Sequence, residues 1–231
     1  MHAYVKTVLI ATTLITSVGL STSAMALAPF QASYQFAYNG KNVGTATRVL
    51  QQQNHQQWTY TFSAKALGIG SASETSRFSF NNGQISSQSF SRSSKILVHN
   101  RTMSINFNPS SKLINTQKDK KTRSFAWQAG VLDELNAELQ VREDLKKNAL
   151  KAQYFIADAK EVEGRKFVRQ GTEQIKTPAG TYNTVKVVMQ HNGKNRQTVF
   201  WLAPQLDYLP VKVTHKDEDA SYSLNLTKFS Q

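Results

Sequence analysis

The chain has 231 residues, a formal charge of +13 at pH 7, 10 % aromatic residues and no cysteine. Without cysteine there is no disulfide framework, no lipidated cysteine and no thiolate metal site, so the core alone must hold the fold. The length suits one β domain, since all-β units of about 200 residues commonly stay single.

Residues 1–26 read as a secretory signal. Lys6 supplies the positive start, Val8 to Leu20 the apolar centre, and Ala24-Met25-Ala26 the small-x-small cleavage site. The apolar run is short for a membrane span and rich in Thr and Ser. Cleavage after Ala26 and a periplasmic location are therefore expected, with a retained anchor as the alternative. Residues 27–231 are then a single β-rich domain. Its alternation begins at once: Phe30, Ala32, Tyr34, Phe36 and Tyr38 share one face, and Asn39-Gly40 turns the chain. Val43 to Gln51 pairs back. Trp58, Tyr60, Phe62, Ala64 and Ala66 repeat the pattern until Gly68-Ile69-Gly70 breaks it. Phe78 and Phe80 precede Asn82-Gly83, a second hairpin signal, and Ile85 to Arg92 and Ile96 to Phe107 read as two further strands. The polar stretch Asn108 to Arg123 reads as a long loop or hairpin.

Ala129 to Lys147 holds the one helical pattern. Asp133 is placed to cap it, Leu135 and Leu139 fall on one face, and Lys146-Lys147 suit its negative end. The opposite, polar face is expected to be solvated. Strands then resume at Ala152 to Ala157, Arg165 to Ile175, Tyr182 to Met189, Arg196 to Leu202, Tyr208 to His215 and Tyr222 to Phe229. Pro178 with Gly180, and Asn192-Gly193, mark turns between them. The expected fold is mainly β: a large curved antiparallel sheet forming an open or incomplete barrel with one covering helix at about 133–147. A β-sandwich is the alternative, because periodicity does not separate curling from stacking.

Two segments carry a family resemblance. One is Thr177-Pro178-Ala179-Gly180-Thr181-Tyr182 with Phe200-Trp201-Leu202-Ala203-Pro204 and Tyr208-Leu209-Pro210-Val211. The other is the helix start from Asp133 to Leu139, with Asn136 where relatives tend to carry Ser. On these the chain resembles an exported bacterial family, domain of unknown function 3108, over essentially the whole segment after residue 26. The resemblance implies a periplasmic β-rich fold and supplies no catalytic residues.

The charge is uneven. From Pro29 to Arg123, twelve Lys and Arg face two acids, Glu74 and Asp119; from Ser124 to Gln231, fifteen face thirteen. This asymmetry points to an anionic partner or serves solubility alone. Export and the lack of a recognition motif argue against nucleic acid. Anionic envelope lipid, lipopolysaccharide or acidic glycan fits better, with peripheral membrane contact open. His99 and Arg101 share a strand face with Leu97, Met103, Ile105 and Phe107. This face reads either as the wall of an amphiphile site, with head group at Arg101 and tail at Met103, Ile105 and Phe107, or as a strand end whose polar tips reach solvent. Trp127, between the basic loop and the helix, marks a hinge or lid position, whereas Trp58 and Trp201 read as core. Lys118, Lys120, Lys121 and Arg123 form a basic surface that speeds encounter.

Other chemistry finds no pattern. His2, His55, His99, His191 and His215 lack ligand spacing, and no metal or cofactor is expected. There is no Gly-x-Ser-x-Gly elbow, and Glu161/Glu163 and Asp217-Glu218-Asp219 read as solvated turns rather than a glycosidase pair. The reading is a non-enzymatic binding or carrier module for an anionic amphiphile. The alternatives are a lyase-like enzyme on an acidic polysaccharide and a scaffold that binds protein by strand addition.

Overall fold

The computed structural model describes residues 27–191, 196–218 and 220–231. The signal segment, the cleavage point after Ala26 and the Asn192-Gly193 turn lie outside them. The first eight strands are β1 (Phe30–Tyr38), β2 (Lys41–Gln52), β3 (Gln57–Ala66), β4 (Gly70–Asn81), β5 (Gln84–Ile96), β6 (His99–Asn108), β7 (Leu113–Lys118) and β8 (Lys121–Ala126). The helix α1 (Glu134–Lys146) follows. After it come β9 (Tyr154–Ala157), β10 (Val162–Arg165), β11 (Phe167–Thr177), β12 (Gly180–Gln190), β13 (Gln197–Ala203), β14 (Leu209–Lys216) and β15 (Ser221–Ser230). No described helix is long and apolar enough to cross a membrane.

Thirteen strands form one antiparallel sheet, ordered β11-β12-β13-β14-β15-β1-β2-β3-β4-β5-β6-β7-β8, and β9 and β10 form a separate pair. The first and last strands meet where β1 pairs with β15, Ala32 opposite Phe229. Bulges at Ser33/Tyr34, Arg77/Phe78 and Trp201/Leu202 bend the strands and raise their twist. The sheet curls without closing, its edges being β8 and β11. Charge and a bulge guard the long edge: β11 carries exposed Arg169, Glu173 and Lys176, and its register shifts around Gly171 at φ 93°. The polar stretch after Asn108 is a hairpin, β7–β8, and β10 occupies a segment expected to be a solvated turn.

Turn chemistry explains most of the meander. Asn39-Gly40 and Asn82-Gly83 both adopt positive φ, 46° and 76°, 50° and 78°, as a two-residue hairpin requires. The β5–β6 turn departs from expectation. It falls at Leu97-Val98, where no Gly, Asn or Pro marks it, and Leu97 takes φ 53°. Leu97 is therefore a turn residue and not part of the β6 face.

The helix supplies the main correction. Asp133 caps it as expected, its side chain accepting from the Asn136 N–H at 3.0 Å. Every residue from Leu135 to Leu145 is buried, however, so the polar face is not solvated. Helix α1 lies in the hollow of the sheet, where strands and connections meet most of its polar groups, Asn136 Oδ1 and Arg142 Nη1 being without a partner among the described residues. Glu138 pairs with Arg48 on β2 and accepts from the Tyr60 hydroxyl on β3 at 3.0 Å. Gln140 accepts from the Ile85 N–H at 2.8 Å and donates to the Gly83 carbonyl at 2.9 Å. Asp144 accepts from the Tyr154 hydroxyl at 2.7 Å, and Arg142 donates to the Asp207 carbonyl while stacking on Phe30. The apolar core packs around this plug and includes Trp58 and Trp201, as expected.

Candidate functional site

Filling the hollow with α1 changes the role of the β6 face. Alternation does turn Met103, Ile105 and Phe107 inward, but Ile105 and Phe107 are 1 % and 5 % exposed within the packed core, where no ligand tail reaches them. Met103 is half-buried where that face leaves the core, and Arg101 and His99 continue past it into solvent. Trp127 is half-buried against the core, and its backbone N–H donates to the Lys112 carbonyl at 2.9 Å; it is anchored rather than a hinge. Lys118 and Lys121 stand opposite each other on β7 and β8, Lys120 lies in their turn, and Arg123 donates to the Ala159 carbonyl at 3.3 Å.

Met103 and Lys118 do meet a cleft. A space of about 400 Å³ opens beside the helix N-terminus, lined by them with the cations Arg92, Arg165 and Arg196, the acids Glu134, Asp158, Glu161 and Glu163, and His191. Arg92, Glu134, His191 and Arg196 also line an adjoining recess of about 150 Å³, whose wall combines the apolar Phe62, Leu135, Phe167, Met189, Phe200 and Val213 with the charged Glu74 and Glu138. Arg48 lines this cavity, and its Nε has no hydrogen-bond partner among the described residues. Cations, acids and imidazoles thus stand beside apolar side chains where the cleft meets the recess.

This junction is ordered by two networks. On one side Arg92 of β5 bridges its cross-strand neighbour Glu74, at 2.6 Å, and Glu134 in the first turn of α1, at 2.5 Å. Burial alone would raise the Glu134 carboxyl, but attraction to Arg92 outweighs it and holds the group below its ordinary range. Burial prevails at Glu74, which is raised despite Arg92. Opposite lies a chain of Arg165, His191, Thr198 and His215, with contacts of 2.9, 2.9 and 2.7 Å. A guanidinium only donates, so His191 Nδ1 accepts from Arg165 and its proton sits on Nε2, donating to Thr198. The Thr198 hydroxyl shares its second contact with His215 Nδ1. The His191 imidazole is therefore neutral with its tautomer assigned. His215 also stacks on the Tyr222 ring, 4.8 Å between centroids. Two histidines that sequence spacing left apart are thus joined through one hydroxyl, though no group of three metal-ligating residues lies together among the described residues.

Burial, then the charges of Arg165 and Arg196, push His191 down to about 4. The unfolded chain protonates first as pH falls, so the stability this histidine contributes is complete above about pH 6.5 and is lost toward pH 4. Asp133 acts oppositely. Burial outweighs its hydrogen bonds and raises it to about 6, so its ionisation disfavours the fold as pH rises through that value. The His191 effect is therefore read as a difference. His191→Gln should lose less melting temperature between neutral and acidic pH than the natural protein; an equal loss would place the acid sensitivity elsewhere.

Sequence reasoning missed Arg92, Arg165, His191, Arg196, Thr198, His215 and Tyr222 as a group. They lie on separate strands and connections, and only register brings them together. The comparisons agree with the fold. The beta-barrel-like protein of domain of unknown function DUF1849 from Brucella abortus, a crystal structure, superposes with a TM-score of 0.57 at 9 % identity, over 87 % of this chain and 97 % of that one. No curated protein sequence matches the chain. The family model described as protein of unknown function DUF3108 matches residues 33–227, so nearly every element described above lies within it, and the chain belongs to that family.

Proposed function

We propose that the protein is an exported, periplasmic binding or carrier module for an anionic amphiphile of the cell envelope. A cleft and an adjoining recess lined by cations and by apolar side chains together carry the reading, because an amphiphile offers both surfaces to them. The anionic group would sit among Arg92, Lys118 and Arg196, with an apolar segment against Phe62, Phe167 and Phe200. A cavity of about 150 Å³ holds a benzene-sized group. The recess therefore takes a short apolar segment, and a longer chain would have to lie along the cleft. This replaces the tail contacts expected from Ile105 and Phe107.

Arg196 is the probe of choice, since its one ion pair among the described residues, to Asp217 at 4.0 Å, is long and exposed and its removal spares the core. Arg196→Ala should weaken short-chain phosphatidic acid by roughly tenfold to a hundredfold, the range for a hydrogen bond to a charged group, and leave phosphatidylcholine of the same chain length unchanged. Titration calorimetry with both lipids checks this. Equal affinities of variant and natural protein for phosphatidic acid would overturn the assignment.

One observation favours a second reading. A neutral imidazole beside two arginines offers what β-elimination on a polyuronate needs, cations for the carboxylate and a base for the C5 proton, with the substrate carboxylate drawing Arg165 away so that the His191 Nδ1 lone pair is freed. Incubation with polyuronates should then release an unsaturated uronate, seen by its ultraviolet absorbance, and His191→Gln should abolish it.

A further inference from the structure

The turns at one end of the sheet differ sharply in composition. At the β3–β4 tip Leu67 is 80 % exposed; at the β5–β6 tip Ile96, Leu97 and Val98 are 54 %, 67 % and 86 % exposed. The tips are neighbours, joined by a hydrogen bond from the Leu97 N–H to the Ile69 carbonyl at 3.0 Å. Gly70 makes the close approach feasible, since a Cβ there would fall 2.0 Å from the Lys95 carbonyl oxygen. Single exposed leucines are ordinary, but four large aliphatics on two linked tips form a patch.

The Leu97 backbone sharpens the point. Two other turns of this sheet use Asn-Gly where φ is positive, whereas Leu97 holds φ 53° with a branched aliphatic side chain. The left-handed region is unfavourable for such a residue, and the side chain makes no compensating burial. The patch therefore costs stability in the isolated protein. Exposed cations, Lys65, Lys95 and Arg101, flank it, and no acid occurs between Glu74 and Asp119.

We propose that this end docks on a lipid bilayer bearing anionic head groups, the two aliphatic tips entering the interface and the flanking cations meeting phosphates. Aliphatic tips ringed by cations suit that surface. A protein partner fits less well, because protein contacts draw their energy from Trp, Tyr and Arg, with Leu and Val under-represented, and these tips carry no aromatic residue. Met103, which lines the cleft, lies four residues along β6 from His99, so the tips reach roughly 13 Å beyond it at strand rise. Docking would place the cleft near the head groups. The proposal does not depend on what the cleft binds.

The test is vesicle flotation of the protein as isolated from cells, comparing phosphatidylglycerol with phosphatidylethanolamine against phosphatidylcholine alone. Two variants leave the rest of the chain untouched: Leu97→Asn with Val98→Gly, which suits the turn, and Leu67→Ser, which removes a side chain packed on nothing. The natural protein should float with the anionic vesicles. Each variant should lose at least tenfold in partition, the Asn-Gly variant with an unchanged or higher melting temperature. Lys95→Gln with Arg101→Gln should remove the salt-sensitive part of binding. Unchanged partition in both tip variants, or no flotation of the natural protein, would overturn the proposal. So would a homodimer, seen by sedimentation velocity, that the tip variants dissolve, since the patch would then join copies of the chain.

Discussion

Arg48→Met should destabilise the fold by about 3 to 5 kcal/mol, the cost of leaving one member of a buried ion pair alone. Arg48 and Glu138 have side chains only 6 % and 8 % exposed, and Tyr60 links them, accepting from Arg48 at 2.8 Å and donating to Glu138 at 3.0 Å. Burial alone would lower the Arg48 pKa; attraction to Glu138 outweighs it and holds the guanidinium charged. With the guanidinium gone, the carboxylate is left in the hollow with one hydroxyl donor, from Tyr60. Arg48→Met combined with Glu138→Leu should recover most of the loss, because two apolar groups of similar volume leave no charge unpaired. Urea unfolding at neutral pH measures all three proteins. A single-variant cost below about 1 kcal/mol, the scale of exposed pairs, would mean that water reaches the pair and the helix is not the filling of the sheet.

Leu139→Ala should cost about 2 to 5 kcal/mol, the range for truncating a fully buried leucine. Leu139 is 0 % exposed, and its helix is held on several sides by Arg48, Tyr60, Ser76, Ser87 and Tyr154. Collapse around the truncation is hindered because these polar contacts fix α1 against the sheet. The cost should therefore fall in the upper part of that range. A loss under about 0.5 kcal/mol, typical of surface positions, would show that the helix is detached. The two perturbations act through one element, so combining Leu139→Ala with Arg48→Met should depart from additivity.

The helix shows why part of this architecture resisted sequence reading. Its start was legible, since an Asp before an apolar residue three turns from a Lys pair has one local reading, and Asp133 does cap Asn136. Its surroundings were not. Glu138, Gln140, Arg142 and Asp144 make the segment polar nearly all round, which by pattern alone means a solvated helix. They are buried because Arg48, the Ile85 backbone, the Asp207 carbonyl and Tyr154 meet them, and those partners lie between 10 and 90 residues away. A buried polar group is stable only when paired, and pairing across such separations is a property of register.

Local sequence is enough for the β class, for the period-two faces that put Tyr34, Tyr60 and Phe78 in the core, and for the hairpins at Asn39-Gly40 and Asn82-Gly83, because each rests on neighbours in the chain. Tertiary structure alone decided that Ile105 and Phe107 are core rather than ligand wall, since the answer depended on what filled the hollow. It also decided the cleft, where Arg92, Arg165, His191, Arg196 and His215 converge from four separate segments, and the aliphatic tip at Leu97, where the chain turns against its local preference. In both cases the deciding interactions run between strands, and no window along the chain contains them.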